Sequence, residues 1–146
     1  MQQPSIFATD DWEVCESTMD GVRYIVRMRS TFPSNADQQR FDQLIIVCCF
    51  YQTDDSGLPD TETHRLIVEF EDALDAGTEM KGIAFQVLSL TGVGKRKWRY
   101  YASSPDDFVE SLNNDLQGHS AYPLEIESFL DPDWTGLREF HQMRHA

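Results

Sequence analysis

The chain has 146 residues, 40% of them hydrophobic, including nine Phe, five Tyr and three Trp. That length suits one domain that buries most of its unfolded surface without a disulfide or a metal, and the composition excludes a disordered chain. The formal net charge is −13, from 25 acids against 12 Lys and Arg, which disfavours direct binding to a phosphate backbone and leaves a basic protein partner open.

The expected organisation is a single domain over 1–146, with a flexible N-terminus at 1–10, a folded body over 11–140 and a tail at 141–146. Met1 to Phe7 has neither a basic region nor an apolar stretch, so no signal peptide is expected there. Asp11 to Met19 places Trp12 and Val14 on one side of a strand, and Asp20-Gly21 follows as a tight turn. Val22 to Thr31 alternates cleanly, with Val22, Tyr24, Val26 and Met28 on one face, and predicts the partner strand of a hairpin. Phe32 to Gln43 is polar and reads as loop. Leu44 to Tyr51 is continuously apolar and predicts a central strand covered on both faces. This run is far too short to cross a bilayer, so no membrane span is expected.

Turn chemistry fills Thr53 to Asp60. A helix is expected over 61–76, with Leu66, Ile67, Phe70, Ala73 and Leu74 on its apolar stripe, its acids outside that stripe, and Gly77 as its C-terminal cap. Gly82 to Thr91 and Arg96 to Ser103 predict a second hairpin around Gly92-Val93-Gly94. Ser104-Pro105-Asp106-Asp107 is a box-like helix start, with Phe108, Val109, Leu112 and Leu116 as the stripe and Gly118 as the end. Tyr122 to Phe129 reads as the last strand. A short helix then starts with Asp131 as cap and Pro132 in the first turn, docked through Trp134 and Leu137. The order from Leu44 onward is strand, helix, strand, strand, helix, strand. The expected fold is therefore α+β: a ferredoxin-like βαββαβ core, an antiparallel sheet with both helices on one face. The N-terminal hairpin would extend that sheet or cover its other face.

No motif rises to a catalytic constellation. Gly92-Val93-Gly94-Lys95 lacks the spacing of a phosphate loop, and a hairpin turn explains its glycines. Lys95, Arg96, Lys97 and Arg99, interleaved with Trp98, Tyr100 and Tyr101, would form a basic patch if Arg23, Arg27 and Arg29 lay beside them. Pairing with the surplus carboxylates is the simpler expectation. His141 and His145 are four apart, yet they sit where a chain end frays. Cys15, Cys48 and Cys49 are odd in number and lack a C-x-x-C pair, which predicts a reducing, cytoplasmic setting. No cofactor or metal is expected.

Several ordered segments carry a family resemblance across Asp11 to Phe140. They are Asp11-Trp12 with Asp20-Gly21, Gly57-Leu58-Pro59, Glu71-Asp72-Ala73-Leu74, Gly94-Lys95-Arg96-Lys97-Trp98-Arg99-Tyr100-Tyr101 and Asp131-Pro132-Asp133-Trp134. In these the chain resembles a bacterial family of unassigned function, domain of unknown function family 695. That family is similar to the ribonuclease E inhibitor B regulators, small acidic proteins with a ferredoxin-like core that bind the ribonuclease itself. The resemblance implies a bacterial cytosolic protein that binds a protein without catalysis. Leu137 stands where the family often has an aromatic, and Leu88-Ser89-Leu90 replaces a usual Val-Gly. The family offers no catalytic residues to carry over.

The leading expectation is a non-enzymatic interaction module that presents Asp54, Asp55, Asp60, Glu62, Glu69, Asp72 and Asp75 to a basic protein partner such as a ribonuclease or toxin. The alternative is a small-molecule-binding sensory domain using an open sheet face near Trp98 and Tyr100. A metal-dependent hydrolase using scattered carboxylates, which the fold would have to gather into a concave cluster, is the third reading.

Overall fold

The computed structural model describes residues 6–53, 57–115 and 124–144. These form, in order, β1 (Trp12–Met19), β2 (Val22–Arg29), α1 (Asn35–Arg40), β3 (Gln43–Phe50), α2 (Thr61–Met80), β4 (Ala84–Gly92), β5 (Lys95–Ala102), α3 (Pro105–Asp115), β6 (Leu124–Leu130) and α4 (Thr135–Arg144). The strands make one six-stranded sheet in the order β1-β2-β4-β5-β3-β6. Every neighbouring pair is antiparallel. The sheet is thus larger than a four-stranded core, because the N-terminal hairpin extends it through β2 beside β4.

Two hairpins turn on residue pairs with positive φ: Asp20 (53°) with Gly21 (78°), and Val93 (54°) with Gly94 (76°). Two left-handed residues in succession match the right-handed twist of the flanking strands. Gly92 closes β4 rather than belonging to the turn.

Each face of the sheet has its own core. Ile45, Val47, Trp98 and Tyr100 pack beneath Ile67, Phe70 and Leu74 of α2 and Phe108 and Leu112 of α3. On the opposite face Val26, Met28, Leu44, Phe85, Leu88 and Tyr101 pack beneath Trp134, just before α4, and Leu137 and Phe140 of α4. Burying each large apolar side chain is worth about 1.5–3 kcal/mol, so both coverings contribute to stability. β4 is buried along its whole length. β3 is paired on both sides as its apolar run predicts, but it lies one strand from the sheet edge.

Several expected boundaries move. The polar stretch 32–43 contains α1, whose N-cap Ser34 accepts from the Asp37 amide at 3.2 Å. α2 runs through Gly77 to Met80, because Thr78 is buried and its hydroxyl donates to the Leu74 carbonyl at 2.9 Å. A mid-helix glycine costs about 1 kcal/mol, which continued packing offsets. Pro132 precedes α4 instead of lying in its first turn, while the Asp131 carboxylate accepts from the Thr135 and Gly136 amides at 3.0 and 2.9 Å. Val109 is exposed beside the buried Phe108 and Leu112. Ile6 and Phe7, within the stretch expected to be flexible, pack against the core below α4. The expected positions of Leu116, Gly118, Tyr122 and Pro123 lie outside the described residues.

Candidate functional site

α2 buries more than an apolar stripe. Its inward positions Ile67, Phe70, Glu71, Leu74 and Thr78 follow helical spacing, so Glu71 arrives on the core side by register alone. Its carboxylate accepts from Arg96 Nη2 at 3.0 Å and from the Trp98 indole N–H. One turn on, Asp75 accepts from the Tyr100 hydroxyl at 2.6 Å and from Gln86 Nε2 at 2.9 Å. Burial lifts the Asp75 carboxyl to about 7, aided by the nearby Glu71 and Glu79 charges and opposed by the Tyr100 and Gln86 hydrogen bonds. Glu79 is also raised, chiefly by burial, though Arg29 opposes this. Arg29 is 4% exposed, and burial lowers its pKa. It donates to the Gln86 carbonyl at 2.8 Å, approaches Glu79 at 3.4 Å and Asp10 at 3.3 Å, and lies over the rings of Phe7 and Trp12. This polar seam joins α2 to the sheet. Two of its atoms, Gln86 Oε1 and Arg96 Nε, are buried without a hydrogen-bond partner.

The expected binding acids therefore separate. Asp75 belongs to the seam. Glu62 and Glu69 both hold Arg65, each at 2.6 Å. Asp60 caps α2 by accepting from the Thr63 amide at 2.7 Å. Asp72 is exposed. Asp54 and Asp55 lie outside the described residues. The face carrying Trp98 and Tyr100 is not open: both side chains are 0% exposed under α2 and α3.

Nor does the basic cluster assemble into one patch. Alternation sends Arg96 toward Glu71 and sends Lys95, Lys97 and Arg99 to the other face. Arg99 is used in docking α4, donating to the Gly136 carbonyl at 2.7 Å and pairing with Glu139 at 3.0 Å. Arg23, Arg27 and Arg29 project from β2, across β4 from β5, on the face opposite those lysines. His141 donates to the Arg29 carbonyl at 2.7 Å and packs on Phe32. His145 lies outside the described residues. Burial raises the thiols of Cys48 and Cys49, the latter to about 11, so neither is an activated nucleophile. Among the described residues, no group of three or more His, Cys, Asp or Glu is placed to hold a metal ion.

Two surfaces that pattern reading missed remain. On the α4 side, past the helix, a hollow of about 360 Å³ opens between the β1–β2 turn and β5. At the sheet's edge, β6 is exposed along nearly its whole length. Ile126 is 38% exposed, Phe129 47% and Leu130 70%. The available signal was the alternation of Glu125 and Glu127 with apolar residues in a last strand; that they align across β3 with Lys97 and Arg99 is set by register alone.

The sequence matches the model of a family described as one of unknown function, DUF695, over residues 10–141. The chain belongs to that family. No curated protein and no solved structure matches it. No described helix of this DUF695 chain is long and apolar enough to cross a membrane.

Proposed function

We propose that this DUF695 protein is a non-enzymatic regulatory module that captures a basic protein partner by extending its sheet at β6. The observation that carries this reading is the character of that edge. Among the described residues β6 pairs only with β3, without a register shift, and it contains no Pro or Lys. Edge strands are normally blunted by Pro, Lys or bulges, and β6 has none of these; β1, at the opposite edge, is the less exposed of the two, so β6 is the better template for an incoming strand. Ile126, Phe129 and Leu130 supply apolar contact. Glu125 and Glu127 make no ion pair among the described residues and would face Lys or Arg of the partner. A second copy fits poorly, since antiparallel registers centred on Ile126 or Glu127 each set glutamate against glutamate. The α2 acids are the weaker docking surface, because Glu62 and Glu69 already pair with Arg65.

A ferredoxin-like core is supported by the consecutive order β6-β3-β5-β4, with α2 and α3 packed on one face. The resemblance to ribonuclease E inhibitor B regulators names a ribonuclease as one partner class, a toxin being another. Free Cys15, Cys48 and Cys49 support a cytoplasmic setting. The test is binding of a labelled peptide that alternates Lys with Val, alongside a Glu-for-Lys control peptide. Binding of the Lys peptide that weakens steeply toward roughly half-molar salt, and is lost in Glu125→Lys/Glu127→Lys, is expected. Equal binding of both peptides, or capture of cellular partners that ignores salt and this double substitution, overturns the reading.

A further inference from the structure

The hollow on the α4 side of the sheet combines apolar walls with unpaired positive charge. Met19, Val22, Tyr24 and Leu90 supply the walls. Lys95 and Lys97 stand on its rim, two residues apart on β5, hence about 7 Å apart on one face. Neither forms an ion pair among the described residues, although the chain carries 25 acids. Asp20, in the β1–β2 turn, also lines the opening and is not ion-paired to either lysine. The rim therefore carries two positive charges against one negative, inside a strongly acidic protein.

Backbone chemistry builds part of this hollow. A Cβ at Gly92 would stand 2.7 Å from the Arg23 carbonyl oxygen and 3.0 Å from Tyr24 Cδ1. Glycine there lets β2 and the Tyr24 ring close down on β4 and form a wall. A volume of about 360 Å³ lies at the small end of ligand sites.

We propose that the hollow binds a small amphipathic carboxylate, its charged head between Lys95 and Lys97 and its apolar body against Tyr24 and Leu90. This site is separate from β6 and does not depend on partner capture. The experiment is a titration of the full chain with octanoate, read by amide chemical shifts, with octanol, octylamine and acetate as comparators. Saturable binding of octanoate alone, centred on the Gly92, Gly94 and Lys97 amides, is expected. The Lys95→Gln/Lys97→Gln variant, its unfolding temperature unchanged, should weaken octanoate by about tenfold or more. Equal response to octanol, undiminished binding by the variant, shifts centred elsewhere, or no saturation within octanoate's solubility would each overturn it.

Discussion

Burial lifts the Asp75 carboxyl to about 7, and the sign of its effect on stability follows. A carboxyl whose folded pKa exceeds its unfolded one stabilises the fold while protonated. Its contribution is complete below the usual aspartate value of about 3.9 and is lost as pH rises through about 7. Glu79 is shifted in the same direction. The unfolding free energy from urea titration should therefore fall between about pH 4 and pH 7, by an amount on the order of a few kcal/mol. Asp75→Asn should flatten most of that slope, since the amide can accept from Tyr100 and donate to a flipped Gln86, whose Oε1 lacks a partner. An unchanged slope in the variant would assign the pH dependence elsewhere. Glu71 makes a contrasting prediction. Removing it strands the buried Arg96 charge and the Trp98 N–H, so Glu71→Ala should cost about 3–5 kcal/mol. Glu71→Met/Arg96→Met should recover much of that loss, because breaking a buried pair costs more than replacing it. Chemical denaturation of both variants measures the difference.

Among the connecting elements, the β4–β5 turn carries a strained residue. Val93 is 48% exposed and holds φ 54°, a conformation that costs an L-residue with a Cβ about 1–2 kcal/mol. Val93→Asn supplies the Asn-Gly pair that this turn type prefers and should raise stability by about 1 kcal/mol. α4 depends on a single anchor to a greater degree. Trp134 stacks on Tyr101 with ring centroids 4.0 Å apart, and its indole donates to the Phe41 carbonyl at 3.0 Å. Gly136 allows the helix to lie this close, as a Cβ there would come within 2.8 Å of Leu44 Cδ2. Trp134→Ala should cost about 3–5 kcal/mol and abolish the near-ultraviolet signal of the stacked pair. Retention of both would show that α4 docks through Leu137 and Phe140 alone.

For the molecule as a whole, a net charge of −13 has two consequences of opposite sign. Self-repulsion opposes compactness, so added salt should raise the unfolding temperature of the free protein. The same charge would steer the basic partner proposed above, so added salt should slow association with it. Measuring both on one sample separates electrostatic steering from a general salt effect: a partner whose association rate is flat across the range in which stability rises is not recognised by charge. The acids are not equivalent in this. Glu71, Asp75 and Glu79 are committed to the seam beneath α2, whereas Glu125 and Glu127 remain on the outer strand.

Local spacing in the chain was sufficient for the strands and for the long helices. Val22, Tyr24, Val26 and Met28 alternate onto one face, Asp20-Gly21 turns the first hairpin, and Ser104 caps α3 by accepting from the Asp107 amide at 3.3 Å. Those features depend on side-chain period and on single-residue φ preference, which neighbours along the chain determine. Long-range pairing decided the rest. Whether Glu71 and Asp75 meet water or Arg96, Trp98 and Tyr100 depends on where α2 lands on β5. How much of the α4 face is covered depends on that helix reaching back to Phe41 and Tyr101. That β6, and not β3, forms the edge opposite β1 follows from strand order. Burial and desolvation are properties of the assembled layers, so the same carboxylate is a surface charge in the sequence and a structural strut in the fold.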